Sequence, residues 1–220
     1  MHSTVNSLVA IKEEIQLKVI SKTKNIKTPQ IIAVSKTFRM EHILPLVNYG
    51  HLHFGENKVQ EAIEKWTKVK DQNQNIKLHF IGKLQTNKVK IAVKIFDYIH
   101  SVDNEKLATK IAAEQIKQNK KIKVFIQINI GNEDQKSGFK KENVSEFYKF
   151  CKNLNLDVIG TMCIPPKQKN YQNYFLEMNK INTQLNLTEL SMGMSEDYME
   201  AAQHNSTFIR IGSKIFGQRD

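Results

Sequence analysis

Lys36 follows a short apolar run, residues 31–34, in the stretch Ile31-Ile32-Ala33-Val34-Ser35-Lys36-Thr37. Lysine rarely ends a buried strand unless its amine has a partner or a task. Burial and neighbouring positive charge favour the neutral amine, which can form an imine with an aldehyde. The plainer alternative is a lysine snorkelling to the rim of its sheet. A second group of chemistry-bearing residues lies at 190–220. There Ser191-Met192-Gly193-Met194-Ser195 precedes Glu196 and Asp197, which are expected in the first turn of a short helix. Arg210-Ile211-Gly212-Ser213 closes a strand-like run at 207–211. Small residues at a strand's exit let backbone N–H groups approach a phosphate, and a helix start adds positive potential. A lysine at one strand end and phosphate cradles at two others suggest a phosphate-bearing aldehyde held as an imine.

Other reactive side chains point less sharply. Arg210 needs an acceptor if it faces a barrel interior; a pyridine nitrogen would serve, and so would an ion pair with Asp103, Glu56 or Glu133. His51, His53 and His79 lack metal-ligand spacing and read as core or rim residues. Cys163 has no histidine pattern around it and reads as packing.

Periodicity supplies the elements that must carry these residues. Leu8, Ile11, Ile15 and Val19 mark one face of an N-terminal helix at about 4–24. Strand patterns follow at 31–34, 52–54, 78–81, 98–101, 123–129, 156–162, 189–192 and 207–211, with 123–129 the longest candidate. Helical patterns fall between them at 41–48, 58–69, 86–96, 104–118, 142–153, 171–185 and 196–203, with Asp103 expected as an N-cap. The polar stretch 70–77 reads as a surface loop. Eight alternations predict an α/β fold, a single (β/α)8 TIM barrel over residues 1–220. An open doubly wound sheet is the alternative, although no Gly-x-Gly-x-x-Gly follows any strand. In a barrel the strand ends after Val34, Phe54, Ile81, Ser101, Asn129, Met162, Met192 and Ile211 share one face, and most carry small or polar residues. A ligand site needs that concentration.

Composition narrows the classes. The chain has 220 residues, a net charge of +11 and two cysteines, Cys151 and Cys163. No apolar run reaches the roughly 18 residues of a membrane span, and charged residues interrupt the N-terminus where a signal peptide would be apolar. A cytoplasmic protein with reduced thiols is expected. The positive charge comes from thirty scattered lysines and only three arginines, without a basic run or aromatic platform. Specific nucleic-acid binding is therefore not expected, since phosphate and base readers favour arginine forks.

Several blocks together resemble the pyridoxal phosphate homeostasis protein family. They are AVSKTF at 33–38, FGENKVQEA at 54–62, HFIGKLQTNKVK at 79–90, SVDNEKLA at 101–108, INIGNEDQKSGF at 128–139 and GTMCIPP at 160–166, followed by LSMGMSEDY and FIRIGSKIFGQR. The resemblance covers roughly 30–219, in order. It implies a barrel like the N-terminal domain of alanine racemases, with pyridoxal 5'-phosphate as an imine on Lys36. It also implies that Ser191, Ser195, Gly212 and Ser213 hold the phosphate, Arg210 faces the pyridine nitrogen, and Asn57 and Met192 line the ring. Departures are few: Ser213 stands where threonine is usual, Asn205 where glycine is common, and Lys83 and Lys214 where smaller residues are found.

The family implies a buffer or carrier of vitamin B6 rather than a catalyst, a monomer that passes cofactor to pyridoxal phosphate-dependent apo-enzymes. The sequence offers no evident second base, and ends where an alanine racemase would continue into its second domain. A low-activity amino-acid racemase is the runner-up. Lys136 is a second, weaker candidate for aldehyde capture, with a surface lysine as the default.

Overall fold

Each short apolar run pairs in parallel with the next, and the last returns to the first, so the sheet closes. This computed structural model describes residues 2–22, 27–133, 135–167 and 170–218. The strands are β1 (Gln30–Val34), β2 (His53–Glu56), β3 (Lys77–Phe80), β4 (Tyr98–Val102), β5 (Lys123–Ile128), β6 (Asp157–Cys163), β7 (Glu189–Ser191) and β8 (Phe208–Ile211). Around them lie α1 (Ser3–Lys18), α2 (Met40–Asn48), α3 (Val59–Gln72), α4 (Val89–Ile95), α5 (Glu105–Lys117), α6 (Val144–Asn153), α7 (Gln172–Gln184), α8 (Tyr198–Gln203) and α9 (Ser213–Phe216). The expected eight-stranded barrel is therefore the fold. Successive side chains of a strand face opposite sides, which sorts the core into two layers. On β8, Ile209 and Ile211 join the large cluster between barrel and helices, while Phe208 meets Ile32, Tyr98, Phe125 and Met162 inside the barrel.

Local chemistry shifts some expected boundaries. The cap of α5 is Asn104, whose Oδ1 accepts from Leu107 N–H at 2.9 Å, so Asp103 lies one residue too early. The longest strand is β6, with seven residues to the six of β5. Lys70 belongs to the last turn of α3 rather than to a loop, because its ammonium bonds Asp97 Oδ2 at 2.5 Å and Ile95 O at 3.0 Å. The N-terminal helix ends at Lys18, a 3-10 turn spans Ile20–Lys22, and the expected continuation to 24 lies outside the described residues. Glu196 and Asp197 precede α8 instead of forming its first turn. Tyr198 donates its hydroxyl to Glu14, tying α8 to α1, and Lys214 lies 4.8 Å over the Tyr198 ring. Among the described residues no helix is long and apolar enough to cross a membrane.

Candidate functional site

At the C-terminal ends of the strands lies a cavity of about 900 Å3. Lys36, Ser195, Arg210, Gly212 and Ser213 all line it, so strands at opposite ends of the sequence meet there. Closure of the barrel, with β1 beside β8, is what brings Lys36 next to Gly212 and Ser213.

The Lys36 loop is held firmly from outside the cavity. Ser35 donates its N–H to Gly55 O at 3.0 Å and its hydroxyl to the buried Glu56 carboxylate at 2.7 Å. Lys65 of α3 donates to Ser35 O at 2.8 Å and to Phe38 O at 3.3 Å, bracketing the loop. The same ammonium meets Glu56 at 2.7 Å and Glu61 at 2.8 Å. Burial raises the Glu56 pKa, while Lys65, Trp66 and Ser35 pull it back. Thr37 adopts φ 70, an uncommon region for a β-branched residue, and its N–H donates to Glu61 Oε1 at 2.5 Å. Backbone strain of this kind persists only where surrounding contacts enforce it.

Arg210 projects inward from β8 and is almost fully buried. Its Nη1 donates to Ser191 Oγ at 2.7 Å and its Nη2 to Cys163 O at 2.8 Å. These neutral acceptors occupy the places that an ion pair with Asp103, Glu56 or Glu133 would have taken. Burial lowers the Arg210 pKa, yet a guanidinium remains charged in proteins. Ser191 is fully buried beneath the cavity, where its hydroxyl accepts from Arg210 Nη1 and lies against His100 Nδ1. Met192 takes the opposite face of the chain and packs in the core between barrel and helices, away from the cavity lining. Asn57 sits beyond β2 outside the lining, and its Oδ1 is buried with no hydrogen-bond partner among the described residues. Such an atom is the kind a bound ligand completes.

The β7–β8 side of the cavity has small residues and hydroxyls. Gly212 has φ −110°, and a Cβ there would come no closer than 3.5 Å to Val34, an ordinary contact. Neither backbone nor packing within the protein demands glycine at this position, so the space it leaves serves the cavity. Gly193 differs: its φ is +90°, and a Cβ would lie 2.5 Å from that of Ala201. Gly212 N–H donates to Ser195 Oγ at 3.3 Å, which places both beside Ser213. Asp197 Oδ1 accepts from Met194 N–H at 2.5 Å, and burial raises the Asp197 pKa.

Tyr171, Ile164, Pro165 and the pair Glu133–Lys136 also line the wall, none of them singled out by spacing as ring contacts. Glu133 Oε2 lies 2.5 Å from Lys136 Nζ. The Ile164-Pro165-Pro166 block was the available signal for the loop beyond β6, whereas Tyr171 arrives from the start of α7 with no motif of its own. No group of three or more His, Cys, Asp or Glu among the described residues is placed to hold a metal ion. Both cysteines are buried, with thiol pKa values pushed up to about 12 by burial.

A closed parallel barrel with a lysine, an inward arginine and a small-residue cradle at its C-terminal mouth defines a cofactor-holding barrel. Residues 10–220 match the model of the alanine racemase N-terminal domain. A pyridoxal phosphate homeostasis protein of Aquifex aeolicus is 37% identical over 200 residues, covering 86% of this chain and 87% of that protein. The structure of PipY from Synechococcus elongatus PCC7942 with pyridoxal phosphate (PLP) bound aligns with TM-score 0.85 at 30% identity, over 97% of this chain and all of that one. Alanine racemase of Clostridium difficile 630 shares the fold at 17% identity and TM-score 0.75, over 98% of this chain and 56% of that one. The chain belongs to the alanine racemase N-terminal domain family and, within it, to the pyridoxal phosphate homeostasis proteins.

Proposed function

We propose that this barrel binds pyridoxal 5'-phosphate and keeps it available in the cytoplasm, as part of the homeostasis of vitamin B6 and amino acids. The convergence of Lys36, Ser195, Arg210, Gly212 and Ser213 on one cavity carries this reading. The cofactor-bound relative from Synechococcus supports it. Lys36 supplies the amine for the aldehyde, and the Lys65 bracket keeps that amine at the mouth of β1. Ser195 and Ser213 offer hydroxyls to the phosphate, with Gly212 leaving room for it. Asn57 offers its buried amide to the ring's edge, and Ser191 and Met192 act from behind, through Arg210 and through packing. Bound pyridoxal phosphate supplies a reactive aldehyde on an electron-withdrawing ring. Arg210 is a donor only, so a ring nitrogen facing it stays unprotonated and withdraws electrons weakly.

The residues favour holding over turnover. Two of the cavity's carboxylates are engaged, Glu133 with Lys136 and Asp197 with Met194 N–H, and the third, Glu196, is exposed. The protein therefore acts as a monomeric carrier that releases cofactor to apo-enzymes. One observation favours a low-activity racemase instead: Tyr171 lines the cavity and its phenol could serve as an acid or base. Two measurements separate these readings. Borohydride reduction of the cofactor-loaded protein is expected to bleach the visible band and leave the cofactor covalently on the peptide containing Lys36, and Lys36→Ala to lack the band. A full reducible band in Lys36→Ala would refute that attachment. Incubation with L-alanine in deuterated water is expected to give at most slow Cα exchange. Rapid exchange that depends on Lys36 and disappears in Tyr171→Phe would establish the racemase.

A further inference from the structure

Beneath the cavity, a row of polar side chains crosses the barrel interior. His53 Nδ1 lies 2.9 Å from His79 Nε2, and His79 Nδ1 lies 2.9 Å from His100 Nε2. His100 Nδ1 is 2.9 Å from Ser191 Oγ, which accepts from Arg210 at 2.7 Å. His79 stacks on Tyr98 and His100 on Phe125, each at 4.2 Å between ring centres. Both rings are fully buried. At the other end His53 lines a cavity of about 540 Å3 at the N-terminal mouth, together with Tyr98 and Lys123. The row therefore joins one mouth of the barrel to the arginine at the other.

Its direction follows from donor counting. Arg210 can only donate. Ser191 Oγ accepts that bond, and its own proton then needs an acceptor, which His100 Nδ1 provides. The opposite order, with His100 Nδ1–H donating, would leave the buried Ser191 hydroxyl proton without an acceptor among the described residues, an expensive omission in a buried site. With Nδ1 accepting, His100 carries its proton on Nε2 and donates to His79 Nδ1. His79 in turn donates from Nε2 to His53 Nδ1, and His53 presents Nε2–H at the N-terminal mouth. Every ring is neutral in this arrangement. Burial acts in the same sense, lowering His53 to about 4 and His79 and His100 well below the ordinary value.

We propose that His53, His79 and His100, acting through Ser191, are positioning residues for Arg210: a one-way hydrogen-bond chain that fixes the guanidinium toward the cavity. This rests on the reading above in which Arg210 faces the cofactor ring. Each donor in the chain points away from Arg210, so each bond polarises the next and disperses part of the arginine's charge toward the far mouth. Ser191 and Cys163 O then hold two corners of the planar guanidinium, which sets its plane.

The test reads the chain before any cofactor is added. In protein labelled with nitrogen-15 at histidine, two-bond nitrogen–proton correlations at neutral pH are expected to show the Nε2–H tautomer at His53, His79 and His100. An Nδ1–H tautomer, or a doubly protonated ring, at His79 or His100 would overturn the direction. His53→Phe, far from the cavity, is then expected to shift the ring nitrogens of His100 and weaken pyridoxal phosphate binding roughly two- to ten-fold, about what one lost neutral hydrogen bond is worth. His53→Asn, which keeps an acceptor near the Nδ1 position, is expected to restore both. Unchanged His100 signals and affinity in His53→Phe would overturn the positioning role. Failure of the unmutated protein to take up pyridoxal phosphate would overturn the cofactor reading alone, because the tautomers are decided on cofactor-free protein.

Discussion

Lys65 lies on α3, outside the barrel, yet its ammonium holds both carbonyls that bracket the Lys36 loop. It is only 11% exposed and its partner Glu56 is fully buried, so removing it strands a carboxylate without its cation. Lys65→Met is expected to cost about 3–5 kcal/mol, the range for breaking a buried pair from one side, and to weaken cofactor binding. Denaturant melts and a titration with pyridoxal phosphate measure the two effects. On the adjacent strand, Gly212→Val is expected to block the phosphate end of the cavity, because it fills a space in which a Cβ meets only ordinary contacts with the protein. Ser195→Ala, which removes one hydroxyl beside Gly212, is expected to cost about 0.5–3 kcal/mol in cofactor affinity, the range for one hydrogen bond to a neutral or charged partner. Cofactor affinity unchanged in both variants would place the phosphate elsewhere. Lys36, Gly212 and Ser213 were legible in sequence because each follows directly from the end of a strand. The contacts of Ser191 were not, because they depend on strand parity: one residue's difference decides whether a side chain faces the inside of the barrel or the helices, and Ser191 and Met192 fall on opposite sides.

At the scale of elements, asparagine does what glycine commonly does. Asn119, Asn155, Asn186 and Asn205 have φ of 46, 57, 53 and 65°, and each stands two residues beyond the end of α5, α6, α7 or α8. The left-handed turn after a helix satisfies its last carbonyls, and asparagine adopts it more readily than other side chains. Asn205, which stands where glycine is common, is thus one of four asparagines used at helix ends, which gives part of the chain's asparagine content a backbone role. Asn186→Ala is expected to destabilise the protein by about 1–2 kcal/mol, the penalty of left-handed backbone for an ordinary residue, and Asn186→Gly to be neutral or stabilising. Thermal melts of the two variants compare them directly, and equal stability would show that the turn relaxes. Helix starts were legible only to within a residue or a turn. Asp103 and Asn104 are adjacent capping residues, and only the backbone, extended at Asn104, decides which one accepts Leu107 N–H.

For the whole molecule, eight alternations and short connections were enough to read a closed barrel, since the outer layer repeats its apolar pattern on every strand. The barrel's interior was not readable in the same way. His53, His79 and His100 lie on three separate strands with no common spacing, and only closure stacks them into one row. That row, with His51, makes the fold sensitive to acid. Burial lowers His51 and His53 from an ordinary 6.5 to about 4, and holds His79 and His100 well below their ordinary value. Between about 6.5 and 4 the unfolded chain binds these protons and the folded chain does not, so lowering the pH favours unfolding. The stability they contribute is present above 6.5 and lost as the pH falls through the folded values. Glu56 and Asp197, both raised by burial, act in the opposite sense: what they contribute is present below their ordinary carboxylate values and lost as the pH rises. Their window opens upward from ordinary values of 4.5 and 3.8, so it overlaps the histidine window and opposes it, but two groups stand against four. The melting temperature is therefore expected to fall continuously from pH 6.5 to pH 4, and His51→Gln, which replaces one of the buried imidazoles by a group that does not titrate, to flatten that slope. A melting temperature constant across the window would mean that the folded barrel accepts protons at these rings as readily as the unfolded chain does, and that the interior row is not held neutral.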